Sequence, residues 1–427
     1  MNVIDRVEVD GLLNRKKPIN IKFDRNYNFI IGQNGTGKTT LINLIAAILL
    51  CDAEKLEKIQ FLKVVIFLRN SHSSEEPVIS VTRSKKADEP FANFSYLIKD
   101  HQEHKGVTFK LDDFLGSAYS NAITLRHMRS RVYHDYIATV RKKIESLLQV
   151  RWLSIHRTNN FVERDEENRN QSPVDRKLDE LRRNMAIYFG RMSKAYSDQI
   201  LDFQQTSLLS MIRSESGFTL EKFSKEIDVE REKETLGSVF AALQVSKIKY
   251  QSMLEKHARD FKKAAEKLDQ HSGVSIDELA TIYNGWKAHV LVQEYGELEK
   301  KKLEIFSPRD VFLKAVNDLL KPRKTLSISA RNDLVVKSSV GSNDVEFQDL
   351  SSGEKQLLII LGEALLQESE SVIYIADEPE LSLHISWQEK LTDSIRSVNA
   401  NAQIVFATHS PDIVGSHGDK VIDMEFL

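Results

Sequence analysis

The chain has 427 residues with 60 Lys plus Arg against 62 Asp plus Glu, so no global basic field marks it as a nucleic-acid binder, and any DNA-binding surface would be a local patch. A hydrophobic content of 41% and a charged content of 29%, with only 17 Gly and 8 Pro, exclude the disordered and fibrous classes and describe an ordered, helix-rich protein. At roughly 100 to 200 residues per domain, this length predicts two or three folding units.

The start, Met1 to Arg6, lacks the basic residues and apolar core of a secretory signal. The longest apolar runs, Leu41 to Leu50 and Leu357 to Leu365, are broken by Asn43 and by Gly362 and Glu363, well short of the roughly 20 residues of a membrane span. A cytoplasmic chain with no membrane partner is the expectation. Cys51 stands alone, so no internal disulfide can form, and it reads as a small buried side chain.

The first predicted elements are a strand from Ile19 to Phe23, a turn at Asp24 to Asn26, and a second strand from Tyr27 to Ile31 that runs straight into Gly32. Gly32, Gln33, Asn34, Gly35, Thr36, Gly37, Lys38 and Thr39 then fit G-x-x-x-x-G-K-[ST] and open an apolar helix, Thr39 to Leu50. A strand before and a helix after are the context a phosphate-binding loop requires. The glycines let backbone N–H groups wrap phosphates at the positive end of the helix, where Thr40 lies in the first turn. Lys38 is placed to meet the β and γ phosphates of ATP, and the Thr39 hydroxyl to ligate Mg²⁺.

Short strands are predicted next at Lys63 to Leu68, Val78 to Thr82, Asn93 to Ile98 and Val107 to Leu111, a β-rich lobe. A helix from Ser120 to Leu148 and a strand from Val150 to Ile155 follow. The next stretch reads as almost wholly helical. Leu178, Leu181, Met185, Tyr188, Met192 and Ala195 form one apolar stripe. Leu236, Phe240, Leu243, Tyr250, Leu254, Phe261 and Leu268 form a second, interrupted by Lys247. Ser275 and Glu278 have capping-box spacing and open a third helix, with Leu279, Ile282, Trp286, Val290 and Leu298 on its buried side. Such stripes are ordinary helix packing. Pro308 and Pro322 bracket a further helix before β-like segments at Thr325 to Ser329 and Leu334 to Ser338.

Val372 to Ala376 is an apolar strand ending in Asp377 and Glu378, as a Walker B segment needs: Asp377 reaches Mg²⁺, and Glu378 is placed to polarise the attacking water. Ahead of it, Leu350, Ser351, Ser352, Gly353, Glu354, Lys355 and Gln356 resemble the signature of ABC-type (SMC/Rad50-like) ATPases, an element other P-loop folds lack. Small residues at Ser351 to Gly353 free a helix N-terminus to approach a γ-phosphate. The resemblance implies that this phosphate belongs to a second copy of the chain, giving a head-to-head dimer or higher oligomer. After a buried strand, Gln403 to Ala407, His409 matches the family's switch histidine, which contacts the γ-phosphate.

The implied fold class is α/β, an ABC-type P-loop ATPase head with a mixed sheet, a β-rich lobe and a large helical, coiled-coil-like insertion. The implied division is 1–157 for the N-terminal lobe, 158–319 for the insertion and 320–427 for the C-terminal lobe. The family's Q-loop glutamine is left unassigned, since the strand at Val150 to Ile155 leads to His156 and Arg157 rather than to an obvious Gln.

Glu380, Leu381, Ser382, Leu383 and His384 complete a D-E-P-E-L-x-L-H form that resembles the OLD-like branch of prokaryotic ABC ATPases. Members of that branch usually continue into a nuclease domain, whereas this chain ends at Leu427, soon after His409. No H-E-x-x-H or paired-cysteine motif supplies another catalytic centre. The resemblance is therefore to the stand-alone ATPase subunit of anti-phage systems such as PARIS or Septu. It implies a separately encoded nuclease or toxin effector, and a DNA or phage-protein trigger. The alternative is an SMC/Rad50-like ATPase acting on DNA in repair. The insertion is short and its stripes imperfect for that role, and it is too large for a transporter ATPase. Basic clusters at Arg141 to Lys143, Lys262 to Lys263 and Lys300 to Lys302 could touch phosphates, although interleaved acids read more simply as solvated helix faces.

Overall fold

The computed structural model describes residues 2–70, 76–84, 92–101, 105–110, 136–153, 172–212, 228–270, 273–339 and 344–427. Strands β1 (Asn2–Asp10), β2 (Ile19–Lys22), β4 (Lys63–Asn70), β5 (Val78–Ser84), β6 (Asn93–Lys99) and β7 (Val107–Lys110) form a six-stranded antiparallel sheet in the order β2-β1-β4-β5-β6-β7. The strands predicted from Ile19 and from Lys63 onward are all present and differ only at their ends. Strand β1 is not among the predicted elements, although it pairs with both β2 and β4. The register shifts between Ile4 and Arg6, a bulge that leaves Ile4 and Val7, three residues apart, both fully buried. One extra residue breaks the two-residue alternation by which a half-buried strand is recognised.

The second sheet is wholly parallel, in the order β14-β3-β13-β12-β8, from β14 (Val421–Asp423), β3 (Tyr27–Ile31), β13 (Gln403–Ala407), β12 (Val372–Asp377) and β8 (Gln149–Trp152). Antiparallel and parallel pairing thus occupy separate sheets of one α/β architecture. A hairpin sheet of β9 (Lys324–Ile328), β10 (Leu334–Ser338) and β11 (Asp344–Val345) completes the strands.

Helix α1 (Lys38–Leu49) is buried at every position from Leu41 to Leu49, in one cluster with Ile4, Val7, Ile66 and Val81 of the antiparallel sheet and Ile30, Ile373, Ile375 and Val405 of the parallel sheet. A helix covered on all sides has no polar face, which is why its sequence is apolar at nearly every position, with Asn43 the exception between Leu41 and Leu49. Each fully buried Leu or Ile contributes roughly 1.5–3 kcal/mol. Gln403, fully buried, ties the two sheets together: its side chain accepts from the Ile4 N–H at 2.8 Å and donates to the Ile4 carbonyl at 2.7 Å, beside the bulge. Cys51, after α1, is buried, and burial pushes its thiol up to about 12, which makes it an inert packed side chain.

Helix α2 (Ala53–Lys58) and a helical stretch at 136–147 add to this core through Leu56, Val140 and Ile144. Residues 120–135 of the helix predicted from Ser120 lie outside the described residues, as do Ser154 and Ile155 of the strand predicted from Val150 and the His156 and Arg157 that follow it.

The chain divides into two compact units, Met1–Ala186 with Arg309–Leu427, and Ile187–Pro308. Helix α3 (Pro173–Ile212) buries Leu178, Leu181, Met185, Tyr188 and Met192 of the predicted stripe, while Ala195, predicted on the same stripe, is exposed. In the second unit, the single helix predicted from Leu236 to Leu268 is two: α4 (Val229–Ala242) and α5 (Lys247–Asp269). Gln244 turns the chain with φ 58°, and Phe240 stacks on Tyr250 at 5.1 Å. The apolar stripe continues across the break because both helices pack their apolar faces on each other.

Helix α6 (Ile276–Leu320) opens with the predicted capping box, Ser275 N–H donating to Glu278 at 2.9 Å and Glu278 N–H to Ser275 Oγ at 3.3 Å. Ile282 and Leu298 are buried, whereas Leu279, expected beside them, is 39% exposed. Pro308 was expected to bracket a new helix, yet α6 runs through it, although the ring removes one N–H from the helix ladder. Helices α7 (Ser352–Leu365), α8 (Ile385–Val398) and the short α9 (Pro411–Val414) belong to the first unit. No helix among the described residues is long and apolar enough to cross a membrane.

Candidate functional site

The parallel register aligns Asp377 with Ala407 and Ala407 with Ile30, so β3, β12 and β13 end at one edge. The carboxyl edge of a parallel sheet is where open α/β folds bind ligands. From it, β3 leads into Gly32 and the exposed Asn34. Gly35 (φ 87°) and Gly37 (φ 95°) adopt left-handed backbone, Gly37 as the N-cap of α1. These angles need glycine, and they turn the chain into the helix with the amides of its first turn unpaired.

Lys38 is 5% exposed, and its ammonium donates to the Gly32 carbonyl at 2.7 Å and the Gln33 carbonyl at 2.9 Å. Thr39 is exposed, and its hydroxyl donates to Asp377 Oδ1 at 3.1 Å; Thr40 behind it is half-buried. The predicted cation-binding pair therefore meets across 338 residues of sequence. A hydroxyl and a carboxylate side by side suit Mg²⁺, which takes oxygen ligands and keeps most of its coordination for water and phosphate.

Glu378 holds a left-handed backbone, φ 49°, with its N–H donating to the Ala407 carbonyl at 2.8 Å. A non-glycine residue there stores backbone strain of the kind that clusters at functional sites. Two residues on, Glu380 Oε1 accepts from the Thr408 hydroxyl at 2.6 Å, the His409 N–H at 3.0 Å and the Ser410 N–H at 3.3 Å. The His409 side chain is exposed. The structure thus joins the segment after β12 to the segment after β13 through Glu380, which the sequence marks only as part of the D-E-P-E-L-x-L-H form. Its local signal was a second acid two positions beyond Glu378.

Ser351 caps α7 in a complete capping box with Glu354, while Ser351 and Ser352 are exposed. Burial raises the Glu354 carboxyl, but the Lys324 ammonium at 2.8 Å and the Ser351 N–H outweigh it and hold the group below its ordinary value. That contribution to stability is present above the unfolded Glu pKa and is lost as pH falls through the depressed folded value. Gln356 donates to the Pro379 carbonyl at 2.8 Å, which fastens α7 to the segment after Asp377.

Gly353 packs so closely that a Cβ there would lie 2.3 Å from the Ser382 carbonyl oxygen. Gly353→Ala is therefore expected to force α7 off the 378–383 segment, at about 1–3 kcal/mol of stability as for other overpacked sites. The denaturant midpoint measures this. A midpoint equal to that of the unchanged chain would refute the close packing.

Glu425 also touches the phosphate-loop segment, accepting from the Gln33 N–H at 3.0 Å, and Arg15 donates to the Thr36 carbonyl at 3.0 Å. Neither stood out in the sequence. Of the basic clusters, Lys143 pairs with Asp100, Lys300 with Glu297 and Lys302 with Glu299, while Arg141 donates to the Leu50 carbonyl.

A family model described as AAA ATPase domain matches residues 3–414. The Septu protein PtuA of Bacillus thuringiensis is 33% identical over an aligned stretch of 96 residues, covering 19% of this chain and 24% of that protein's length. Among solved structures, the chain is similar to the Smc head domain with an extended coiled coil bound to the C-terminal domain of ScpA, from Pyrococcus furiosus. That likeness has 15% identity and a TM-score of 0.42, covering 99% of this chain and 93% of the other. The Smc head domain with a coiled coil and joint from Pyrococcus yayanosii gives 15% identity and a TM-score of 0.40, covering 99% and 95%.

Proposed function

As the chain belongs to the AAA ATPase domain family, we propose that it binds ATP with Mg²⁺, hydrolyses it slowly, and uses the cycle to control a separately encoded nuclease or toxin effector in anti-phage defence. The observation that carries the ATPase reading is the hydrogen bond between Thr39 and Asp377, with Lys38 and Glu378 adjoining them at one sheet edge.

Each side chain then has a chemical task. Lys38 and the first-turn amides of α1, with Gly32, Asn34, Gly35 and Gly37 shaping the loop, bind the β and γ phosphates. Thr39 and Asp377 hold Mg²⁺, which when bound neutralises charge developing on the transferred phosphoryl group. Glu378 orients the attacking water and accepts its proton, and His409 donates to the γ-phosphate. Ser351 and Ser352, exposed at the start of α7 with the buried Gly353 beside them, fit a role in contacting nucleotide held by a second copy. That arrangement favours a head-to-head dimer.

The defence role rests on the D-E-P-E-L-x-L-H form at Asp377 to His384 and draws support from the similarity to the Septu protein PtuA. DNA or a phage protein would then be the trigger, met by the helical residues between the two lobes. The purified chain is expected to release phosphate from ATP in the presence of Mg²⁺ while cutting neither DNA nor RNA. Metal-dependent cleavage by the chain alone would sink the separate-effector reading, and absence of phosphate release would sink the ATPase reading.

A further inference from the structure

Resting on the ATPase reading above, we propose that Glu380 is a positioning residue for hydrolysis: it clamps the 408–410 segment that carries His409, and so transmits the position of α7 to the γ-phosphate end of the site.

One carboxylate oxygen, Oε1, gathers three donors, the Thr408 hydroxyl and the N–H groups of His409 and Ser410. Thr408 is 1% exposed, so its hydroxyl has no competing access to water. These bonds fix the backbone from which the exposed His409 ring projects. No hydrogen bond to that ring is made among the described residues, so its placement depends on the backbone below.

The anchor of Glu380 is itself held from the other side. Gln356 of α7 donates to the carbonyl of Pro379, the residue before Glu380. Gly353 of α7 lies against the Ser382 carbonyl, two residues after it. The Glu380 carbonyl and the Leu383 carbonyl both accept from the Gln388 side chain at 3.4 and 3.0 Å, and Gln388 Oε1 accepts from the Ser410 hydroxyl at 2.7 Å. A displacement of the α7 N-terminus must therefore move residues 379–383, and through Oε1 the 408–410 backbone. Hydrogen-bonded segments with two arrangements are the physical means by which separated groups couple.

The remaining oxygen, Oε2, is buried with no hydrogen-bond partner among the described residues. Glutamine at 380 can keep the Oε1 acceptor. Alanine cannot.

The test is steady-state ATP turnover by the full chain, with binding of a fluorescent non-hydrolysable ATP analogue measured in parallel. Glu380→Ala is expected to lower kcat about ten- to a hundredfold, the scale of an ångström-level misplacement, while analogue affinity changes less than about threefold. Glu380→Gln is expected to recover kcat to within about threefold of the unchanged chain. Thr408→Val should lower kcat in the same direction, and combining it with Glu380→Ala should add no further loss, as for two halves of one contact. An unchanged kcat in Glu380→Ala, a Glu380→Gln variant as slow as Glu380→Ala, or a loss of analogue binding as large as the loss of kcat would each overturn the proposal. If the unchanged chain itself neither binds nor hydrolyses ATP, the ATPase reading fails instead. Amide exchange at His409 and Ser410 then still decides the clamp, since it is faster in Glu380→Ala only if Oε1 holds those N–H groups.

Discussion

Lys38→Ala is expected to abolish nucleotide binding. The ammonium is buried at the mouth of α1 and is held by the Gly32 and Gln33 carbonyls, so it is already positioned within the loop rather than waving in solvent. Alanine removes the one positive charge the loop carries and leaves the Gly32 and Gln33 carbonyls without this donor. A charge-assisted contact of this kind is among the stronger hydrogen bonds a protein makes. A loss of at least about a hundredfold in affinity, about 2.8 kcal/mol, is the expected result of titrating a fluorescent ATP analogue. An affinity within threefold of the unchanged chain would remove Lys38 from the phosphate site.

Glu378→Gln separates binding from chemistry. The left-handed backbone at 378 and its N–H bond to the Ala407 carbonyl involve no carboxylate, so glutamine leaves the local fold in place. What disappears is the group that accepts a proton from water. General-base catalysis contributes typically about 10²- to 10⁴-fold, so kcat should fall by that scale while analogue affinity stays near its original value. Turnover at the unchanged rate would exclude Glu378 as the base, and a parallel loss of affinity would show that it serves binding instead.

The strand–turn–helix at Gly32 to Thr39 was legible because its pattern is local: eight consecutive residues carry the glycines, the lysine and the hydroxyl, and a strand and helix flank them. Asp377 and Glu378 were legible for the same reason, as the end of an apolar strand. Strand β1 was not, because the bulge at Ile4 to Arg6 breaks its alternation. The break between α4 and α5 was hidden by a stripe that continues across it, and the passage of α6 through Pro308 was hidden by a residue that usually ends helices. Glu380 was illegible in its role. Its partners at Thr408 to Ser410 lie 28 to 30 residues away and become neighbours only when β12 and β13 pair. Contacts made by tertiary pairing leave no local pattern.

The bond between Thr39 and Asp377 has a consequence for the order of events during synthesis. A ribosome adding about 5–20 residues per second needs on the order of tens of seconds to pass from one to the other. Through that interval α1 exists without the β12 and β13 strands that line it, and its apolar surface is open. The core around α1 can therefore not be completed until Gln403–Ala407 has emerged. Unit Ile187–Pro308, with its own buried cluster around Phe203, Val239 and Leu298, has by then been fully synthesised. Chains truncated between these points are expected to engage chaperones rather than nucleotide.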